Sequence, residues 1–362
     1  MKLAGFDTSG ERTSPLYSTS GARKILMKKF FNYVFKYVFK TIAAILGLLL
    51  AVILFFTAQA NLRETKTRQE AAPSTGQFVQ AGDVELFIQE MGPKDGQVIL
   101  FIHGTAAWSG LWRETMTPLA EAGYRCIAID IPPFGYSERP ATPSYGNNAQ
   151  AQRIVAMMDS LGIEHAILLG HSFGGGATME TALRIPKRID ALVLFDVGGL
   201  NLNLQPAPEN QRRSAVEVFL GTPIVRNPVL AATGTNPLFT KTLISAMVLD
   251  PADVTEENIH ILQEPLVLEG ATNTLGDWLK SVLGVQEVSL TTDPANYAIL
   301  DMPALILWGD SDTIIPLKEG EYLRSLLPNS ELVVMKGVNH IPHLEDLDAV
   351  IENVLRFLQS PR

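Results

Sequence analysis

Three residues stand in sequence contexts that could support nucleophilic catalysis. Ser172 is the central serine of GHSFG, which follows the apolar run AILL and precedes the helix-prone run ATMETAL. A GxSxG sequence between a strand and a helix is typical of a sharp turn that projects the serine hydroxyl from a sheet edge. Asp312 and His340 follow two further apolar runs, in WGDSD and GVNH. Because a serine hydroxyl needs a base, and the base needs an acid to fix its tautomer, these residues form a candidate catalytic triad.

The elements around these residues alternate between short apolar runs and helix-period segments. The pattern holds over residues 83–197 and again over residues 297–362. It predicts an α/β fold with a mostly parallel, doubly wound sheet, in which functional groups collect at the carboxyl ends of the strands. Beyond an edge strand starting at residue 83, the predicted strands are 98–102, 126–131, 166–169, 191–195 and 304–308, and the predicted helices are 111–122, 149–161, 177–185 and 346–358.

The alternation lapses over residues 198–296, where prolines punctuate helical stretches. This segment predicts a helical cap inserted into the catalytic core. Its apolar residues either bind a hydrophobic acyl or aromatic group or only pack the cap onto the core, and they are Leu220, Met247, Val248, Leu266, Leu268, Trp278 and Leu279.

Residues 41–60 run without a charge, which at about 1.5 Å per residue reaches roughly 30 Å, the thickness of a bilayer core. This predicts a transmembrane helix. Residues 1–40 are predicted to be a tail, disordered over 1–22, with a basic amphipathic segment before the apolar run. The polar stretch within residues 61–82 predicts a linker.

The charges flanking the apolar run predict its orientation. Eight Lys and Arg precede residue 41, against three between residues 61 and 80, which places the N-terminus in the cytoplasm and the catalytic domain outside. Two alternatives stay open. The sequence Ala58-Gln59-Ala60 resembles a signal-peptidase site, so cleavage after Ala60 would release a secreted protein. A buried core helix is the other alternative.

Composition excludes several classes of function. The net charge of -9 at pH 7 argues against nucleic-acid binding, which needs clustered basic residues. The single cysteine, Cys126, excludes an internal disulfide and a thiolate metal cluster, and its strand-like context predicts an inert buried residue. The expected partner is a small-molecule substrate. The sequence does not predict the oligomeric state.

Residues 80–360 resemble the α/β-hydrolase superfamily, in particular its cap-bearing branch of small esterases, carbon–carbon bond hydrolases, epoxide hydrolases and dehalogenases. The resemblance rests on the His103-Gly104 pair, DIPPFGYSERP, the GHSFGG turn, WGDSDTIIP and VNHIPHLED. It implies the chain order Ser, Asp, His for the triad. By the spacing of the family, Asp312 rather than Asp310 is the acid.

The resemblance also implies that His340 is the base and that His343 is structural; a zinc site formed by His340 and His343 is a weaker alternative. The oxyanion of a tetrahedral intermediate needs two backbone N–H donors. One donor is Phe173, directly after the nucleophile, and the resemblance implies Thr105 as the other.

The remaining histidines do not fit the position of the base. His103 and His171 are expected to be structural neighbours of the site, and His165 and His260 are expected at the surface.

The expected activity is hydrolysis of a carboxylic ester through an acyl-enzyme, without a metal or an organic cofactor. A serine at residue 172 disfavours epoxide hydrolases and dehalogenases, which carry a carboxylate there. A carbon–carbon bond hydrolase of ring-cleavage type is the alternative; it needs cations to hold a carboxylate, for which Arg212, Arg213 and Arg226 are candidates. A non-catalytic binding module is the second alternative.

Overall fold

The structure is a computed structural model that describes residues 19–203, 214–284 and 288–360. Most of the predicted disordered tail, together with Arg212 and Arg213, lies outside these residues. The chain divides into two units, residues 1–52 and 53–362.

The described residues of the second unit form one eight-stranded sheet with the order β1-β2-β4-β3-β5-β6-β7-β8. The first two pairings are antiparallel, and all pairings from β4 to β8 are parallel. The strands are β1 Gly76–Ala81, β2 Val84–Met91, β3 Val98–Ile102, β4 Arg125–Ile129, β5 Ala166–His171, β6 Ile189–Phe195, β7 Ala304–Gly309 and β8 Ser330–Met335.

The central strands are apolar throughout because both faces of the sheet are covered. In β3, Leu100 and Ile102 enter one hydrophobic core, whereas Ile99 and Phe101 enter the core on the opposite face. The helices are α1 Thr19–Arg63, α2 Arg68–Ala71, α3 Arg113–Glu121, α4 Asn147–Ser160, α5 Phe173–Arg184, α6 Ala215–Leu220, α7 Pro223–Ala232, α8 Pro237–Ser245, α9 Glu256–Gln263, α10 Ala271–Leu283, α11 Leu317–Leu326, α12 Pro342–Glu345 and α13 Leu347–Gln359.

Helices cover both faces of the sheet. Buried residues of α4, α5 and α11 belong to the first core, and those of α3 and α13 belong to the second. Helices α6 to α10 all lie between β6 and β7, so the described part of residues 198–296 is a helical insertion into the core fold.

The start of the folded domain differs from the predicted linker over residues 61–82. Within that range, α2 forms with a capping box between Thr67 and Glu70, and β1 pairs with β2 along its whole length. An edge strand takes its hydrogen bonds from one neighbour and needs few inward side chains, here Val79 and Ala81. In the sequence, the polar outward residues of β1 therefore resemble a linker. The pairing of β1 with β2 corrects the linker prediction for this segment.

Helix α1 contains the predicted apolar segment. Among the described residues, Leu26–Arg63 is the one helix long and apolar enough to cross a membrane, with a mean hydropathy of 2.6 in its most apolar window and no side chain of that window buried. Such a helix is also typical of a signal sequence. Within the second unit, the end of α1 reaches the cap: Arg63 Nε donates to the carbonyl of Leu266 at 2.9 Å, and Ala60 is buried.

Candidate active site

Ser172 lies in the sharp turn between β5 and α5. Its backbone has φ 49° and ψ -122°, a strained conformation for a residue with a side chain. Glycines on both sides allow the tight turn: a Cβ on Gly170 would lie 2.2 Å from Thr178 Oγ1, and one on Gly174 would lie 2.4 Å from the carbonyl oxygen of His103. The motif therefore folds as a turn that holds the serine hydroxyl in a fixed place.

The side chains of Ser172, His340 and Asp312 form one hydrogen-bonded chain. His340 Nε2 lies 2.9 Å from Ser172 Oγ, and His340 Nδ1 lies 2.8 Å from Asp312 Oδ2. The imidazole and the carboxylate are both fully buried. A carboxylate only accepts, so Nδ1 carries the proton and Nε2 is left to take the proton of the serine hydroxyl.

Asp312, and not Asp310, contacts His340. The second oxygen of Asp312, Oδ1, accepts from the backbone N–H groups of Ile314 at 2.7 Å and Ile315 at 2.8 Å. Asp310 is exposed and accepts instead from the backbone N–H of Gly337. Backbone donors therefore orient the carboxylate that faces the imidazole.

Hydrogen bonds to the backbone hold the loop that carries His340. Glu345 accepts from the N–H groups of Asn339 at 2.9 Å and Ile341 at 3.0 Å. His171 Nε2 donates to the carbonyl oxygen of His340 at 2.8 Å. Burial lowers the pKa of His171 well below its usual value, so it remains a neutral support beneath the base.

His343 lies beneath the site and packs as an aromatic ring. It stacks on Trp112 with ring centroids 4.4 Å apart. Burial, and secondarily the nearby His340, lowers the pKa of His343 to about 3. Among the described residues, possible metal-ligand atoms of Asp196, Asp312 and His340 lie within 4.8 Å of one another. His343 does not belong to this group.

Thr105 and Phe173, the predicted oxyanion donors, line the same cavity as Ser172. Phe173 begins α5, and the first N–H groups of a helix have no acceptor within the helix, so they favour a developing negative charge. The loop before Thr105 is fixed by His103, whose Nδ1 lies 2.8 Å from the carbonyl of Gly104 and whose Nε2 accepts from a backbone N–H. Burial lowers the pKa of His103 to about 4, which keeps it neutral.

Of the other residues considered from sequence, His165 and His260 are exposed, as their side-chain exposures of 57% and 77% show. Cys126 is fully buried, and burial raises the pKa of its thiol to about 12. Arg226 is buried inside the cap, where it forms a salt bridge with Asp277 that joins α7 to α10.

Two open cavities adjoin the site, and both are bordered by Thr105. The cavity with Ser172 has a volume of about 1470 Å³, and its wall includes the apolar side chains of Trp278 and Ile315. The second has about 780 Å³ and includes Met247 and Leu266. No Lys, Arg, Asp or Glu lines either cavity in the part of the chain that the structure describes.

The apolar cap residues thus divide between the two expected roles. Met247, Leu266 and Trp278 face a cavity. The others are buried or partly buried in packing, and they are Leu220, Val248, Leu268 and Leu279.

Sequence reasoning missed two carboxylates beside the triad. Asp196 directly follows β6, at the same edge of the sheet as Ser172, and the strand-end position was a signal for it. Glu345 lies in the segment PHLED, which resembles the stretch that follows the base in the family.

Comparisons with known proteins agree with this architecture. A family model described as alpha/beta hydrolase fold matches residues 97–223 and 269–347. A 2-hydroxy-6-oxononadienedioate/2-hydroxy-6-oxononatrienedioate hydrolase from Paraburkholderia phymatum is 27% identical over 310 residues, covering 82% of this chain and 99% of its own. An uncharacterized hydrolase from Bacillus subtilis is 26% identical over 263 residues, covering 73% and 90%.

Solved structures show the same fold. A meta-cleavage product hydrolase from Pseudomonas fluorescens has a TM-score of 0.61 at 24% identity, covering 78% of this chain and 97% of its own. A membrane phospholipase A, described as a bacterial virulence factor, has a TM-score of 0.62 at 23% identity, covering 91% and 98%. Because the family model spans more than half of the sequence, this chain belongs to the α/β-hydrolase family.

Proposed function

We propose that the protein is a serine hydrolase that cleaves a carboxylic ester of a small, hydrophobic substrate through an acyl-enzyme. The observation that carries this proposal is the hydrogen-bonded chain of Ser172, His340 and Asp312, whose serine lines a cavity with an uncharged described lining. A neutral wall that includes apolar side chains such as Trp278 and Ile315 suits an uncharged acyl or aromatic group.

The contacts of the triad support acyl transfer in two halves. His340 Nε2 takes the proton of Ser172 Oγ as that oxygen attacks the ester carbonyl, and the N–H groups of Thr105 and Phe173 stabilise the resulting oxyanion. The protonated His340 then gives its proton to the leaving alkoxide. In the second half, His340 deprotonates water, which attacks the acyl-enzyme. The bond between the acyl carbon and Ser172 Oγ then breaks, and His340 returns the proton to that oxygen as the acid leaves.

A carbon–carbon bond hydrolase is the second candidate, because the relative from Paraburkholderia phymatum is named for a substrate of that class. Such a substrate carries carboxylates, which need cationic partners in a binding site. Arg226 does not supply one, since it is buried in its salt bridge with Asp277. The uncharged described lining of the two cavities supports the ester, and Arg212 and Arg213 lie outside the described residues.

Labelling with a fluorophosphonate probe, followed by turnover assays, tests the proposal. Wild-type protein should react with the probe and Ser172→Ala should not, whereas Ser144→Ala, a serine in the same cavity wall, should label normally. Folded wild-type protein that fails to react would support a non-catalytic binding module. Esters of graded acyl length, run beside a ring-cleavage dienoate, should show ester turnover; faster turnover of the dienoate would favour the second candidate.

We also propose that α1 is a membrane anchor, with the N-terminus in the cytoplasm and the catalytic domain outside. The unburied apolar window of α1 and the excess of basic residues before it support an anchor over a core helix. Sequencing of the mature N-terminus and protease protection in intact cells test it. An N-terminus at Asn61 would show a cleaved, secreted form, and a catalytic domain protected from external protease would contradict the orientation.

A further inference from the structure

Asp196 occupies a strained, fully buried position at the end of β6. Its φ is 41°, and its side chain has no exposed surface. Its backbone N–H donates to the carbonyl of Leu307 at 3.2 Å, and its Oδ1 accepts from the N–H of Gly309 at 2.9 Å. A strained residue of this kind persists only where its surroundings fix it.

The second oxygen of Asp196, Oδ2, has no hydrogen-bond donor in the described structure. Oδ2 is buried, and a carboxylate oxygen of Asp196 lies within 4.8 Å of ligand atoms of both Asp312 and His340. An unpaired carboxylate oxygen in the protein interior is costly, and a second carboxylate beside it adds repulsion between like charges. A proton between the two carboxyl groups removes both costs.

The donors around the two groups decide which one holds that proton. Asp312 accepts from Ile314 N, Ile315 N and His340 Nδ1, all of which favour its ionised form. The side chain of Asp196 accepts from one donor among the described residues, the backbone N–H of Gly309. The donors therefore suit a carboxylate at Asp312 and leave the proton to Asp196.

We propose that Asp196 is protonated at neutral pH and donates a hydrogen bond from Oδ2 to Asp312, as a positioning residue that holds this carboxylate against His340. This inference rests on the proposed function, because Asp196 acts on the acid of the proposed catalytic triad.

The electrostatic surroundings agree with this assignment. Burial raises the pKa of Asp196 well above its usual value, and the charges of Asp312 and Glu345 act in the same direction, while the Gly309 N–H opposes them. With Asp196 neutral, His340 faces one carboxylate charge from the pair.

The variant Asp196→Asn shows whether Asp196 is neutral or ionised in the wild type. The amide keeps an oxygen for Gly309 N and places an N–H donor toward Asp312, so the acidic limb of the pH profile of kcat/KM should stay within about 0.3 pH unit of the wild type. If Asp196 were ionised, the substitution would remove a negative charge beside His340, and the limb would shift down by about one unit or more. That shift would overturn the proposal.

Asp196→Ala tests positioning, because it removes the donor without changing the charge. We expect kcat to fall about tenfold with little change in KM, and Asn at the same position to restore it. Asp190→Asn, on the same strand but away from the triad, is the matched control and should keep the wild-type profile. Equal kcat values for folded Asp196→Ala and the wild type would overturn the proposal.

Infrared spectroscopy at pH 7 tests the proton without any substrate. Wild-type protein should show the carbonyl stretch of a protonated carboxyl group, and Asp196→Asn should lack it. Persistence of the band in this variant, or its absence from the wild type, would overturn the proposal. Failure of the proposed function is distinguishable, because it appears as loss of fluorophosphonate labelling of Ser172 whether or not the band is present.

Discussion

Glu345 binds the backbone on both sides of His340, through the N–H groups of Asn339 and Ile341. The same carboxylate accepts from Leu249 of the cap at 2.7 Å, and the N–H of His340 itself donates to the carbonyl of Met247 at 3.0 Å. The loop of the base is thus tied to α12 on one side and to the cap on the other. Its position depends on contacts that no local motif reveals.

Replacement of Glu345 should therefore impair catalysis without removing any reacting group. In Glu345→Ala the N–H groups around His340 lose their acceptor, and we expect kcat to fall about 10- to 100-fold with a small change in KM. Steady-state kinetics on an ester, with a thermal melt of each variant, provide the measurement. Glu352→Ala, on the exposed side of α13, should behave as wild type; equal activity of the two variants would contradict the role of Glu345.

Gly174→Ala should damage both stability and activity. The added Cβ would lie 2.4 Å from the carbonyl oxygen of His103 and 2.6 Å from that of Ile102, and backbone atoms cannot yield as a flexible side chain does. We expect a loss of about 1–3 kcal/mol in the free energy of unfolding and a lower rate of probe labelling. Gly221→Ala, at an ordinary φ of -77°, is the control and should cost less. Chemical denaturation measures both; a silent Gly174→Ala would refute the close approach.

Stability should depend on pH through His343. The folded state takes up a proton there only near pH 3, whereas the unfolded state does so near 6.5. Between these values the unfolded state binds more protons, so the free energy of unfolding falls as the pH is lowered, by about 1.4 kcal/mol per pH unit from this residue. His343→Phe keeps a ring against Trp112 and should reduce the slope by that amount. Denaturation from pH 7 to 4 measures it, and an unchanged slope would contradict the prediction.

Arg226 should stabilise the cap rather than bind substrate. Its guanidinium, which is 1% exposed, donates to the carbonyl of Leu220 at 2.6 Å as well as pairing with Asp277. Breaking a buried pair by removing one partner typically costs about 3–5 kcal/mol. Arg226→Met should therefore lower the melting temperature strongly, while the turnover of a dienoate relative to that of an ester stays unchanged.

The matched control is Arg356→Met, which breaks an ion pair with Glu331 whose partners are 49% and 40% exposed. Surface pairs of this kind contribute about 0–1 kcal/mol. A selective loss of dienoate turnover in Arg226→Met, with unchanged stability, would instead identify Arg226 as a substrate-binding residue.

Much of the core could be predicted because its signals are local. The strand over residues 98–102 has the predicted bounds, since a short apolar run buried on both faces is visible in the sequence. Helix α5 was predicted from residue 177 but begins at Phe173, because FGGG has low helix propensity and packing against the sheet overrides it. Packing also decides the structure of β1, whose polar outward residues resemble a linker in the sequence.

The sequence by itself determined the order and spacing of Ser172, Asp312 and His340, since each stands at the end of a recognisable strand. Only the tertiary structure decided which side chains meet there. Asp196 approaches Asp312 across 116 positions of the chain, and Arg226 finds its partner on another helix of the cap. Such contacts depend on how strands and helices pack at a sheet edge. Packing there brings residues that are distant in sequence close enough to interact through their charges and to share a proton.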